Sequence, residues 1–138
     1  MLETEGILAD TSVWVRFFRS TESPEAVHLD GLLQARIVRI CDPVRVEVVS
    51  GARTERQRMQ LRELFHAMAC LQLPEDIWER IEESRFVLAR KGIQAKLIDL
   101  MIATIAVHHG VALWTLDDDF SLIHSAVPFP RYVPGFKC

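Results

Sequence analysis

The sequence predicts an α/β fold in which two layers of helices enclose a mostly parallel sheet, a three-layer α/β/α sandwich. Short apolar runs alternate with longer segments of helical periodicity along the 138 residues. Strands that alternate with helices in this way are typical of parallel sheets covered on both faces. A hydrophobic fraction of 49% can build one substantial core, and the length suits a single domain over residues 1–138.

The first part of the chain predicts two strands and two helices. Residues 6–9 are apolar and lead into Asp10, as expected of a first buried strand. Ser12 is a candidate N-cap for a short helix that carries several aromatic side chains. Residues 24–35 are a second helix candidate, and residues 37–41 read as a second strand.

Residues 44–49 carry two conflicting signals. Valines alternate with Arg45 and Glu47 over residues 44–48, and such alternation of β-branched with charged residues favours a strand. However, Asp42 and Pro43 resemble a helix start, with the aspartate as N-cap and the proline in the first turn. Ser50 and Gly51 then provide a stop signal, so these flanking residues favour a helix.

The second half of the chain continues the alternation of helices and strands. Thr54 and Gln57 have capping-box spacing, which predicts a helix that runs to about residue 68. A helix over residues 97–109 is apolar on most sides and should therefore be buried. The other predicted elements are a strand at 69–73, an amphipathic helix at 75–91, a strand at 111–114, a short helix after it, and a candidate last strand at 129–133.

Composition argues against a strongly basic nucleic-acid binder, a cysteine zinc site, a membrane protein and a secreted protein. The net charge of −3 argues against a strongly basic nucleic-acid binder, although an uneven charge distribution still permits binding. The three cysteines lack the close spacing of a zinc site and are expected to be reduced thiols. No apolar run is long enough to cross a bilayer, and the acidic residues 1–5 are unlike a secretory signal, so we expect a cytoplasmic protein.

Acidic side chains follow two of the predicted strands directly. Asp10 follows the first strand, and Asp117, Asp118 and Asp119 come shortly after the strand at 111–114. Ligands of open parallel sheets bind beyond the carboxyl ends of the strands. The sequence therefore predicts that two strands deliver carboxylates to the same edge of the sheet.

Two further acids allow alternative interpretations. Asp99 lies near the start of an apolar helix, where a carboxylate is either a helix N-cap or part of a buried site that needs a partner. Glu47 lies among valines and faces the cleft if its segment is helical, whereas in a strand it would pair with Arg45 on a solvated face. The residue pattern alone leaves both choices open.

A cluster of carboxylates suggests the chemistry of a hard metal ion. Carboxylates held close together repel one another unless a cation is present, and oxygen ligands suit Mg²⁺ or Mn²⁺ rather than zinc. Such an ion activates water and stabilises charge that develops on a phosphate. Because the chain lacks a catalytic cysteine or serine motif, this pattern suggests phosphodiester hydrolysis.

Four segments resemble the motifs of PIN-domain ribonucleases, especially those of VapC-type toxins, and they occur in the family's order. They read Ile-Leu-Ala-Asp-Thr-Ser-Val-Trp at 7–14, Val-Arg-Val-Glu-Val-Val-Ser-Gly at 44–51, Asp-Leu-Met-Ile-Ala at 99–103 and Thr-Leu-Asp-Asp-Asp-Phe at 115–120. Each motif is a weak or moderate signal, whereas the set of four is quite specific.

The resemblance implies an α/β/α sandwich with metal bound by Asp10 and Asp99. Glu47, in a helix, and Asp117 would complete the acidic site, and Asp119 would be a candidate additional ligand. Asp118 is expected to point away and to cap the last helix. Many relatives have proline where this chain has Lys96, and a lysine at the rim could contact phosphate.

The same resemblance implies a Mg²⁺- or Mn²⁺-dependent ribonuclease that is the toxin of a type II toxin–antitoxin pair. Its expected partners are RNA, a small antitoxin encoded beside it, and a second copy in a homodimer. Hydroxyls of Thr11, Ser12 and Thr115 are candidates for orienting the acids. Candidate contacts to the RNA backbone are Arg16, Arg19, Arg45, Arg53 and Lys96.

Three alternatives compete with a nuclease. A receiver-type signalling domain needs a phospho-acceptor aspartate after a central strand, but the strand at 69–73 is followed by Pro74. A phosphatase with an Asp-x-Asp nucleophile would need a second acid near Asp10, where Thr11 and Ser12 stand instead. A PIN-like scaffold without activity is disfavoured because all four motif acids are present.

Overall fold

A parallel sheet lies at the centre of the computed structural model, which describes residues 6–135. Within those residues the sheet has four strands: β1 (Ile7–Ala9), β2 (Val38–Cys41), β3 (Ala69–Leu71) and β4 (Ala112–Trp114). Their order is β3-β2-β1-β4, and each neighbouring pair is parallel. The predicted parallel sheet is therefore confirmed.

Helices cover both faces of this sheet. Successive side chains of a strand point to opposite faces, and all three residues of β1 are buried. The helices are α1 (Thr11–Arg19), α2 (Pro24–Gln34), α3 (Asp42–Ser50), α4 (Glu55–His66), α5 (Ile77–Arg90), α6 (Leu97–His109) and α7 (Asp119–Ile123). This arrangement confirms the predicted α/β/α sandwich.

Helix α1 begins two residues earlier than it would with Ser12 as its N-cap. The N-cap is Asp10, whose Oδ1 accepts a hydrogen bond from the Val13 backbone N–H at 3.3 Å. Ser12 is the second residue of the helix, and the prediction that it is the N-cap was therefore wrong. Asp10 thus ends β1, caps α1 and lies where the sheet meets the helix.

The ambiguous segment at 44–49 is helical. It lies within α3, whose N-cap is Cys41, while Asp42 and Pro43 occupy the first helical positions. The predicted helix is confirmed, although Asp42 is its first residue rather than its cap. Val44 and Val48, four residues apart, are buried on one side of α3, whereas Val46 is exposed and Glu47 is half-buried, as helical rather than strand periodicity requires.

The capping of α4 and the lengths of two strands differ from the prediction. Thr54 caps α4 by accepting from the Gln57 N–H at 3.0 Å, but the Gln57 side chain returns to the N–H of Arg53 rather than to that of Thr54. Strand β3 ends at Leu71 instead of residue 73. The last strand is reduced to one parallel bridge between Leu113 and Arg131.

Helix α6 is the buried helix that the sequence predicts. Six of its residues are buried, among them Leu100, Ala103 and Ala106, and Gly110 ends it with a left-handed φ of +66°. No helix among residues 6–135 is both long and apolar enough to span a membrane. The expectation that the N-terminus is not a secretory signal rests on residues 1–5, and the expectation of three reduced thiols includes Cys138; these residues lie outside the described part of the chain. Cys41 and Cys70 are free thiols, as expected.

Candidate metal centre

The carboxyl ends of β1 and β4 place two acid-bearing loops side by side. Ala9 is in register with Trp114, and the Asp10 N–H donates to the Trp114 carbonyl at 3.0 Å. Asp10 and Thr115 therefore leave the sheet as neighbours. This is the edge at which the sequence predicted that carboxylates meet.

Asp10 is a buried carboxylate held by two hydroxyl groups. It is only 3% exposed, its Oδ1 accepts from Ser12 Oγ at 2.5 Å, and its Oδ2 accepts from Thr115 Oγ1 at 2.6 Å. Burial raises the pKa of Asp10 above its ordinary value, and these hydrogen bonds partly oppose that shift. The two hydroxyls fix the orientation of the carboxylate, as the sequence analysis expected of Ser12 and Thr115.

The same two hydroxyls also shape the loop that follows β4. Ser12 Oγ accepts from the Leu116 N–H at 2.9 Å, and Thr115 Oγ1 accepts from the Asp117 N–H at 3.0 Å. Each hydroxyl therefore donates to Asp10 and accepts from this loop. Sequence reasoning missed the bond that Ser12 accepts, because no local pattern pairs it with a backbone amide 104 residues away.

Three carboxylates converge beside this network. One oxygen from each of Asp99, Asp117 and Asp119 lies within 4.8 Å of the others. Asp99 is the third residue of α6, where the positive end of the helix dipole favours a carboxylate, and the N-cap is Lys96. The alternative in which Asp99 caps its helix is therefore wrong.

The pKa of Asp99 shows that the other acids act on this group. Burial, followed by the charge of Asp117, raises the pKa of Asp99 from 3.8 to about 6. Glu47 and Asp10 raise it further, and only Lys96 lowers it. The charges of all four motif acids therefore interact, although Asp10 and Glu47 stand outside the three-carboxylate group.

Glu47 reaches this region from α3. Thr11 Oγ1 donates to Glu47 Oε1 at 2.5 Å, which joins α3 to the first turn of α1. Asp118 is exposed and lies outside the three-carboxylate group. It occupies the N-cap position of α7, as expected, but its side chain makes no capping hydrogen bond; Asp117 Oδ1 instead accepts from the Asp119 N–H at 2.9 Å.

The donor atoms of this group fit a hard divalent cation. Asp99, Asp117 and Asp119 offer only carboxylate oxygens, and the group contains neither histidine nor cysteine. Mg²⁺ and Mn²⁺ prefer such ligands. A cation would also relieve the repulsion that raises the pKa of Asp99.

Two of the five candidate RNA contacts are already paired. Arg16 lies 3.3 Å from Glu25, and Arg45 lies 3.2 Å from Asp42. Within residues 6–135, Arg19, Arg53 and Lys96 form no ion pair. The unpaired cations are therefore the better candidates for contact with a polyanion.

The raised pKa of Asp99 predicts how pH affects the metal-free protein. The folded state holds this proton more tightly than the unfolded chain, so the contribution to stability is complete below pH 3.8 and is lost as the pH rises through about 6. With a chelator at neutral pH, Asp99→Asn should therefore melt a few degrees higher than the wild type. Thermal unfolding of both proteins across this pH range tests the prediction, which fails if their melting curves shift in parallel.

Known proteins of similar sequence and fold identify the family. The PIN domain family model matches residues 7–124. Ribonuclease VapC11 of Mycobacterium tuberculosis (strain ATCC 25618 / H37Rv) is 33% identical over 121 residues, which cover 85% of this chain and 90% of the relative.

Solved structures show the same fold. VapBC-1 from nontypeable Haemophilus influenzae has a TM-score of 0.72 at 17% identity, with 91% of this chain and 96% of that chain covered. A toxin–antitoxin complex from Klebsiella pneumoniae has a TM-score of 0.63 at 26% identity, with 84% and 91% covered. The chain belongs to the PIN-domain family and, within it, to the VapC-type ribonucleases.

Proposed function

We propose that this protein is a Mg²⁺- or Mn²⁺-dependent ribonuclease and the toxin of a type II toxin–antitoxin pair. The observation that carries the proposal is the convergence of Asp99, Asp117 and Asp119 within 4.8 Å at the carboxyl edge of the sheet. The relatives support it, because two proteins that are 33% identical to this chain over 121 residues are named ribonucleases. A structural neighbour that is 26% identical is a toxin–antitoxin complex.

The acidic residues divide into two sets in this proposal. Asp99, Asp117 and Asp119 would hold the cation, and Asp10 and Glu47 would add negative charge and complete the site. When bound, the cation lowers the pKa of a water molecule and stabilises charge on the phosphodiester. Ser12 and Thr115 keep Asp10 and the Asp117 loop in fixed positions, and Thr11 does the same for Glu47.

Partners follow from the family. The neighbours named VapBC are complexes of toxin and antitoxin, and we propose that a small antitoxin encoded beside this chain inhibits it. We also propose a homodimer, as the family resemblance implies. A short adjacent gene for a DNA-binding protein would support the first proposal.

The test of the proposed function is cleavage of RNA by the purified protein. Incubated with bulk cellular RNA and Mg²⁺ or Mn²⁺, it should release fragments with 5′-phosphate and 3′-hydroxyl ends, and a chelator should stop the reaction. End-group analysis separates this outcome from contamination by a metal-independent ribonuclease. Intact RNA with both metals, or cleavage that persists after complete chelation, would contradict the proposal.

Lys96 should help to bind the phosphate that is cut. It is exposed at the N-cap of α6, one turn from Asp99, and it alone lowers the pKa of that acid. Lys96→Ala should raise KM for RNA by roughly fivefold with a small change in kcat, and Lys96→Arg should retain most of the affinity. The matched control is Lys91→Ala, at the C-cap of α5. Equal KM values for Lys96→Ala and Lys91→Ala would show that Lys96 plays no such role.

A further inference from the structure

A groove lies between α1, α3 and α4. It has a volume of about 640 Å³, and its floor includes the apolar side chains of Val48, Leu61 and Leu64. Phe18, Arg19 and Arg53 also line it. We infer that single-stranded RNA lies in this groove, with its phosphates on the two arginines and a base on Phe18; this inference rests on the proposed ribonuclease function.

The groove begins one helical turn from two residues beside the acidic site. On α1, residues 11, 15 and 19 share a face, so Thr11 lies at one end and Arg19 about 12 Å further along, at 1.5 Å per residue. On α3, Gly51, which lines the groove, follows Glu47 by one turn. The hydrogen bond from Thr11 to Glu47 therefore joins α1 to α3 just before the residues of these helices that line the groove.

The charge of the groove is complementary to a polyanion. Its lining contains Arg19 and Arg53 and no acidic residue. Both arginines are exposed, and neither has a carboxylate partner among residues 6–135. By contrast, Arg16, also on α1, is paired with Glu25. A protein with a net charge of −3 thus keeps two unpaired cations in one groove.

Phe18 is suited to stack on a base. Its side chain is 43% exposed. It also packs in a stacked arrangement on buried Trp14, with ring centroids 6.0 Å apart and an interplanar angle of 23°. This contact fixes the orientation of the ring. A cationic groove with an aromatic platform is the usual site for a single strand, whereas a duplex keeps its bases stacked inside.

An acidic amphipathic helix of an antitoxin is the competing occupant of the groove. The apolar floor and the arginines would suit it as well, since such helices dock in apolar grooves. The observations favour RNA because an exposed ring and two unpaired arginines line the groove, and the groove begins one helical turn from Thr11 and Glu47. The two occupants are distinguished by the groove variants, which should lose RNA binding if RNA lies there and inhibition by the antitoxin if its helix does.

The test measures binding of fluorescein-labelled oligo(U) in the Asp99→Asn background, which prevents cleavage. Arg19→Ala combined with Arg53→Ala should weaken binding about tenfold and lower the salt slope of log K by about 1.4, at about 0.7 per lost phosphate contact. Phe18→Leu should weaken binding about fivefold. Arg62→Ala, on α4 but outside the groove, is the matched control and should bind as the parent does. Oligo(U) annealed to oligo(A) should bind more weakly than the single strand.

Parallel assays keep this inference separate from the proposed function. If the groove variants lose oligo(U) binding while otherwise wild-type protein cuts no RNA, the groove assignment stands and the ribonuclease proposal fails. If the wild type cuts RNA and the groove variants bind oligo(U) as Arg62→Ala does, the groove assignment is overturned. Variants that bind RNA normally but escape inhibition by the product of the adjacent gene would assign the groove to the antitoxin instead.

Discussion

Asp99→Asn should reduce RNA cleavage by roughly a thousandfold or more while the protein stays folded. Loss of an outer-shell partner typically costs about 10–100-fold in metal affinity or activity, and loss of a ligand costs more. Asparagine has the same size as aspartate, and its neutral amide removes the repulsion that raises the pKa of Asp99. Cleavage rates at saturating Mn²⁺, with circular dichroism to verify the fold, measure the effect.

Asp118→Asn is the matched control for this substitution. Asp118 is an exposed acid in the same loop as Asp117 and Asp119, but it lies outside their group. Its replacement changes the net charge by the same amount and should leave the rate close to that of the wild type. If Asp99→Asn and Asp118→Asn have equal rates, cleavage does not depend on the three-carboxylate group.

Asp10→Asn should also abolish cleavage without unfolding the protein. Asparagine is as good an N-cap as aspartate, so α1 keeps its cap. The hydroxyls of Ser12 and Thr115 can rotate to suit an amide, and burial no longer opposes a charge. The change removes one negative charge from the site and should lower the rate by roughly a hundredfold or more. A folded Asp10→Asn protein that cuts RNA at the wild-type rate would show that this carboxylate is dispensable.

Residues 44–49 show how far local sequence signals could predict the secondary structure. Hydrophobic alternation over six residues suits both a strand and a buried helix turn, because valines reach the core in either conformation. The flanking signals at Asp42, Pro43 and Gly51 favoured the helix, which is the observed α3. Pro43 in the first turn and Gly51 at the C-cap were thus more informative than periodicity in so short a segment, although Asp42 is not the N-cap.

The candidate site was predictable at the level of strand ends but not of side-chain directions. The rule for parallel sheets located Asp10 and the acids at 117–119, because β1 and β4 are neighbours. The sequence left open which acids of the second group face inward. The direction of these side chains depends on the turn in which Asp117 accepts from the Asp119 N–H. In the structure Asp119 lies with Asp99 and Asp117.

The hydroxyl network around Asp10 could not be derived from local pattern. A serine just after a strand is a common N-cap, and this prediction was wrong because Asp10 itself takes the cap. Ser12 then becomes free to join Asp10 to the Leu116 N–H, a contact between residues 104 positions apart in sequence. Such contacts depend on the pairing of β1 with β4, which only the three-dimensional structure provides.

Family membership removes two of the alternatives that the sequence had left. The match to the PIN domain over residues 7–124 is incompatible with a receiver domain or an Asp-x-Asp phosphatase. An inactive scaffold of the same family is the alternative that RNA cleavage assays address. Such a scaffold would keep the fold but would neither bind the cation nor cut RNA.

Titration of the purified protein with Mn²⁺ in a calorimeter is the most direct measurement of whether these acids share a divalent cation. The wild type and Asp118→Asn should bind Mn²⁺ with similar affinity, and Asp99→Asn should bind it at least about a hundredfold more weakly. Equal Mn²⁺ affinity in the wild type and in Asp99→Asn would contradict the account.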